Sequence, residues 1–179
     1  DFIWNKYCAW YLEVSKLSDN KEVTQEVLVK VLKTALQLLH PIMPFITEEI
    51  WSKIPGTRGK IMISEWPTPD KKLDDASSTL KMEKLIVIIS AVRNVRAFWH
   101  IETSSGLGIL LDVPSSGDEK LLEENKQYIE RLARCSVTEV GKGIKRPDQS
   151  VAALVGKIKL YVPLGGAVEV EKERARIDK

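Results

Sequence analysis

Residues 40–51 read His-Pro-Ile-Met-Pro-Phe-Ile-Thr-Glu-Glu-Ile-Trp, and the two prolines constrain the fold more than any other feature of the chain. The ring of Pro41 disfavours α conformation at His40, so a helix arriving from the N-terminal side should end at or before that residue. Pro44 suits the first position of a new helix, where a missing N–H removes no intrahelical bond. Thr47, Glu48 and Glu49 then place polar and acidic groups near its positive end. The new helix should stop at Ile54-Pro55-Gly56, which cannot continue it. The stretch therefore predicts a corner between two antiparallel helices.

Apolar spacing extends the helical reading to both sides. Ile3, Tyr7, Trp10/Tyr11 and Val14 recur at three and four residues, predicting a first helix. Ser18, Asp19 and Asn20 supply turn and cap chemistry before a second helix of about five turns carrying Leu28, Val31/Leu32, Ala35 and Leu39. Beyond an extended stretch, a long helix from about Asp75 to Arg96 buries Met82, Leu85/Ile86, Ile89 and Val92, completing a bundle. Arg93, Arg96 and His100 can share one edge at its end, either complementing the helix C-terminus or contacting phosphate. From Leu107 the period changes to that of a strand ending at Pro114. Ser115, Ser116 and Asp118 cap a helix of about 119–134, and Ser-Val-Thr-Glu-Val then gives a second strand before the turn Gly141-Lys142-Gly143. Residues 151–164 read as two strands broken near Gly156, with Ile158, Leu160 and Val162 facing one way and Lys157, Lys159 and Tyr161 the other. The class is α+β: a helical bundle followed by a small antiparallel sheet backed by one helix. After Gly165-Gly166, acid-to-base pairs three apart, Glu169/Lys172, Glu171/Arg174 and Glu173/Arg176, predict the root of a solvent-exposed helix.

Composition narrows the function classes. The chain has 179 residues and a formal charge of +2, so nucleic-acid affinity has to come from local clustering of cations. Cys8 and Cys135 are isolated, which argues against a disulfide framework or a structural zinc site and makes a reducing cytoplasm the default. No apolar run approaches the ~20 residues that span a bilayer. The opening Asp-Phe-Ile-Trp has no initiator Met and starts inside an amphipathic helix, like a piece of a longer protein. Two histidines in separate elements, no glycine-rich phosphate loop and no metal spacing leave no active site to assemble. Lys-Met-Glu-Lys-Leu at 81–85 lacks both serines of the class I synthetase signature loop and lies in a helical pattern. His40 reads as a helix-end residue, the Gly106/Gly108 and Gly141/Gly143 pairs as turns, and Trp51 and Trp66 as core. Trp4, Trp10 and Tyr11 are dense enough to stack on bases, although such a stripe also suits packing.

Several segments together resemble one family. Trp-Asn-Lys-Tyr-Cys-Ala-Trp-Tyr-Leu-Glu, Leu-Leu-His-Pro-Ile-Met-Pro-Phe-Ile-Thr-Glu-Glu-Ile-Trp, Ser-Glu-Trp-Pro, Val-Arg-Asn-Val-Arg and Leu-Tyr-Val-Pro-Leu-Gly-Gly resemble, in order, the C-terminal region of the valyl-tRNA synthetases, class I aminoacyl-tRNA synthetases. The ending separates them from the isoleucyl enzymes, which commonly carry a cysteine-rich zinc end. The resemblance implies an anticodon-binding helical bundle, shortened at its N-terminal side, over 1–104, a small α/β domain over 105–165 and the start of a coiled-coil tRNA-binding arm over 166–179. It implies a non-catalytic piece whose parent, a monomeric cytoplasmic enzyme, ligates valine to its tRNA with ATP and Mg2+. No cofactor is expected in this piece. Its partners would be valine tRNA and the rest of the parent synthetase, with no membrane. Candidate tRNA-binding residues are Lys6, Trp10, Tyr11, Lys16, Arg93, Arg96 and His100; of these, Lys6, Lys16, Arg93, Arg96 and His100 should share a face with the exposed aromatics if RNA binds, and their scatter would favour docking. The competing readings are a docking module without RNA contact and the equivalent region of the isoleucyl enzyme.

Overall fold

The computed structural model describes residues 1–102 and 106–164, so the expected arm over 166–179 and its ion pairs lie outside the described residues. Contacts divide the chain into two compact units, Asp1–Asp75 and Ala76 onward. The division falls inside the segment expected to form one bundle, because the long helix packs on the sheet that follows it.

In the first unit, Ile3–Tyr11 winds as a π-helical stretch and runs directly into α1, Leu12–Ser15. The first helix is thus wider than its apolar spacing suggests. The Tyr7 hydroxyl ties it to α2, Lys21–Leu39, by donating to the Leu28 carbonyl at 3.0 Å. Asn20 caps α2 as expected, accepting from the Val23 N–H at 3.2 Å. α3 spans Pro44–Lys53 with proline in its first turn.

The proline corner holds, but for a different local reason than expected. His40 keeps right-handed helical dihedrals (φ −54°, ψ −40°) despite the following proline. The bend falls instead at Met43 (φ −130°, ψ 63°), after Ile42 and Met43 have both donated to the Leu39 carbonyl. Pro41 has no N–H to continue the ladder, and this loss of a donor ends the helix. Thr47, 1% exposed, locks the corner. Its hydroxyl donates to the Met43 carbonyl at 2.8 Å and lies 2.8 Å from His40 Nδ1, so the ring supplies that proton. Leu36, Trp51, Ile54 and Ile61 form the buried cluster beneath, with Val29 and Leu32 against it. Gln37 Nε2 holds the extended segment by donating to Ser64 Oγ and the Glu65 carbonyl. Trp51 is core as expected; Trp66 is 60% exposed, so that expectation is corrected.

The second unit begins with α4, Ala76–Phe98, whose buried stripe is Leu85, Ile88, Ile89, Val92, Val95 and Arg96. Lys81–Leu85 lies within this helix, which agrees with its rejection as a signature loop. β1, Gly108–Asp112, confirms the change of period near Leu107. The helix expected over 119–134 is two: α5, Ser116–Glu124, and α6, Lys126–Ala133. Asn125 breaks them, its side chain donating to the Leu121 carbonyl at 2.8 Å in competition with the helical ladder. β2 (Ser136–Gly141), β3 (Ser150–Val155) and β4 (Ile158–Pro163) complete a four-stranded sheet of order β2-β1-β4-β3.

The α+β class stands, and one part of the sheet expectation is corrected. β1 and β2 pair in parallel, while β1–β4 and β3–β4 are antiparallel. A strand that returns through a helical crossover lies parallel to its neighbour, and α5–α6 is that crossover. Val155–Ile158 closes a two-residue hairpin with Gly156 at φ +60°, the conformation glycine adopts without steric cost. The inner face joins Ile109, Leu111, Val137, Ile158, Leu160 and Val162, each at most 3% exposed. Tyr161, expected to face out, is also buried at 7%.

Asp112 anchors the outer face, accepting from the Gly143 N–H at 2.7 Å and from Lys159 Nζ at 3.2 Å. Burial alone would raise its pKa, but the bonds from Lys159 and Gly143 outweigh burial and hold it below the usual carboxylate value. Asp118 is lowered by Lys84 and by the Ser115 hydroxyl, against a smaller opposing effect of burial. Both folded-state values lie below the unfolded one, so their stabilisation is present above about pH 4 and is lost as pH falls further. Chemical denaturation followed at the second unit should therefore give midpoints that decline below about pH 4. The D112N variant should start lower at neutral pH and decline less steeply. Parallel acid limbs for the two proteins would show that Asp112 does not contribute.

Candidate nucleic-acid interface

The residues singled out from sequence fall into two groups, one in each unit. In the first unit Lys6 is exposed, Trp10 and Tyr11 are half-buried, and Lys16 pairs with Glu13 at 2.6 Å. Tyr11 stacks on Tyr7 at 6.3 Å between ring centroids, so part of its surface is already used in packing. Of the aromatic trio Trp4, Trp10 and Tyr11, Trp4 is the exposed one, at 77%.

In the second unit Arg93, Arg96 and His100 line one cleft of about 770 Å³ at the end of α4. The expectation that two arginines three apart share an exposed edge is corrected for Arg96. It is 6% exposed, with Nη1 donating to the Glu102 carbonyl and Nη2 to the Arg134 carbonyl. Arg93 is exposed but also engaged, its Nε and Nη2 converging on the Leu132 carbonyl at 2.9 and 2.7 Å. The arginines thus satisfy carbonyls around the C-terminal end of α6. The helix-end role weighed from sequence is realised on a neighbouring helix, and Arg96, buried with both terminal nitrogens bonded to carbonyls, acts as a positioning residue.

Arg134 also lines this cleft and carries an exposed side chain. It was not identified from sequence, since nothing in the 119–134 pattern sets it apart from other surface arginines. His100 and Arg134 both adopt left-handed backbone, at φ 49° and φ 52°. Each follows a helix end, where glycine is the usual solution.

Other features are less suited to RNA. Cys135 is half-buried, and its thiol is pushed up to about 11, chiefly by burial with help from Glu130, against the opposing charge of Arg96. The raised value disfavours the thiolate, which is the nucleophilic form. Among the described residues no group of three or more His, Cys, Asp or Glu could hold a metal, and no helix is long and apolar enough to cross a membrane. The corner of the first unit is openly apolar, with Ile42 77%, Phe45 90% and Ile46 49% exposed.

Comparison with known proteins adds a family to this geometry. The family model described as the anticodon-binding domain of tRNA ligase matches residues 1–111. The chain is 34% identical to a valine–tRNA ligase of Oceanobacillus iheyensis over 99% of its own length and 21% of that protein. It is 35% identical to the valine–tRNA ligase of Enterococcus faecalis and 34% identical to that of Bacillus subtilis, each over 100% of this chain and 21% of the relative. The chain spans about a fifth of the length of the curated relatives it matches.

Proposed function

This chain belongs to the family of anticodon-binding domains of tRNA ligases, and from that premise we propose that it is the non-catalytic tRNA-binding part, toward the C-terminus, of a valyl-tRNA synthetase. The observation that carries the reading is similarity to valine–tRNA ligases along the whole chain, the sheet unit included, rather than over the helical corner alone. A domain of nearly neutral overall charge can still position RNA through local basic clusters, and the cleft of Arg93, His100 and Arg134 is such a cluster. Unstacked loop bases are the usual targets of sequence-specific RNA recognition, and an anticodon presents them. As a family-level division we propose the bundle over 1–104, the α/β domain over 105–165 and the arm from 166, with α4, the last helix of the bundle span, packing on the sheet that follows it. Lys6, Trp10, Tyr11 and Lys16 remain its candidates for contact in the first unit.

The whole parent, on this reading, is a monomeric cytoplasmic enzyme that uses ATP and Mg2+ to join valine to its tRNA. That chemistry belongs to parts of the parent other than this chain. The rest of the parent is also the second partner, and the exposed Ile42, Phe45 and Ile46 favour the first unit's docking there.

Fluorescence anisotropy with a labelled valine tRNA transcript tests the reading. The 179-residue chain should bind it and lose affinity when the anticodon loop is deleted, while showing no valine-dependent ATP–pyrophosphate exchange. Failure to bind any tRNA, or exchange above a blank, would overturn it.

A further inference from the structure

We propose that the cleft joining the ends of α4 and α6 holds a single RNA backbone phosphate, gripped by Arg134 with His100 and Arg93 beside it, in a frame built by Arg96. The inference deepens the tRNA reading and rests on it.

The backbone gives the first argument. His100 (φ 49°) and Arg134 (φ 52°, ψ 48°) occupy left-handed positions after their helices, where a side chain is disfavoured and glycine is not. Two basic side chains in such slots converge on one cleft. Strained non-glycine residues that cluster in this way point to a functional requirement for the side chain.

The second argument is construction. Arg96, 6% exposed, bonds the Glu102 carbonyl just beyond α4 and the Arg134 carbonyl at the end of α6, so it fixes the separation of the two helix ends. Its Nε–H has no partner among the described residues. The Arg134 guanidinium is exposed and likewise has no partner among them. A planar fork held at its base and open at its tip suits two oxygens of one phosphate.

Charge sets the capacity. Three guanidiniums line the cleft with one carboxylate, Glu102. Two helix C-termini add about half a negative charge each, which leaves an excess of about one positive charge. One phosphate is accommodated; a run of them is not.

The test uses the 179-residue chain and tRNA anisotropy titrations at several salt concentrations. Arg134→Gly removes the guanidinium and relieves the left-handed backbone, so it should fold at least as well as the parent. It should weaken binding about three- to fivefold and flatten the log–log salt slope by about 0.7 to 0.9, equally for matched and altered anticodons. Arg134→Lys should retain most of the slope. Arg131→Ala, an exposed charge outside the cleft, should change the slope by less than half as much. Binding by the unaltered chain with R134G indistinguishable from it, or R131A matching R134G, would overturn the phosphate site alone. An R134G loss confined to one anticodon would also overturn it, by assigning Arg134 to base readout. Binding of labelled hexaglutamate by the unaltered chain that R134G loses while keeping its tRNA affinity and salt slope would overturn it by reassigning the cleft to an acidic protein segment. Absence of any tRNA binding would overturn both this site and the reading beneath it.

Discussion

Replacing Arg96 with leucine should destabilise the second unit by about 3 kcal/mol, within the range for removing one member of a buried charged network. Arg96 is 6% exposed and supplies the donors for the Glu102 and Arg134 carbonyls. Leucine can replace the aliphatic stem but leaves both acceptors without their donors. The open cleft lets water reach some of that surface, which keeps the cost below the upper end of the range. Lysine carries the charge without the planar fork that meets both carbonyls, so R96K should fall between leucine and the parent. Urea denaturation read from amide exchange in β1 and β4 checks the order. A loss below about 1 kcal/mol for R96L would mean that solvent fully replaces the guanidinium.

The features legible from sequence are those whose physics is local. Pro44 opens α3 because proline's fixed φ and missing N–H act at its own position. Gly156 breaks the last two strands because the hairpin requires positive φ there. Even so, the preference against helix before proline lost at His40, where hydrogen bonds to the Leu39 carbonyl and the Thr47 contact sustain helical dihedrals. The parallel pairing of β1 and β2 was present in the order strand, helix, strand, but short strands with alternating residues read equally well as antiparallel. The break at Asn125 also had a signal, since asparagine competes with the helical ladder, but periodicity ran through it.

The candidate site was legible only in part because its determinants are distant in the chain. Arg93, Arg96 and His100 do line a common cleft, but the shared exposed edge that their spacing suggested fails at Arg96, which is buried. What each guanidinium touches depends on α6, whose carbonyls lie 38 and 39 residues away. No periodicity encodes that approach, so an arginine on a mostly apolar stripe read as a surface cation. Arg134 was hidden for the converse reason: its distinction is a backbone conformation, which residue type alone does not announce.

Trp51→Ala should unfold the first unit, removing about 3 to 5 kcal/mol by loss of burial and creation of a cavity. The buried cluster there is small, Leu36, Trp51, Ile54 and Ile61 flanked by Val29 and Leu32, and Trp51 is its largest member. A unit of this size has little stability in reserve, so a loss on that scale consumes most of it. Trp51→Phe separates packing from polarity. The indole Nε1 is buried without a hydrogen-bond partner among the described residues, so phenylalanine forfeits contact area but no hydrogen bond, and should cost well under half as much. Hydrogen exchange resolved along the chain reads both variants. In W51A, amides of α2 and α3 should lose protection while those of β1, β4 and α4 keep theirs, since the latter belong to the unit that begins at Ala76. Equal losses in W51A and W51F would assign the indole a polar role. Simultaneous loss of protection in β1 and β4 would show that the division at Asp75 does not delimit independent cooperative units.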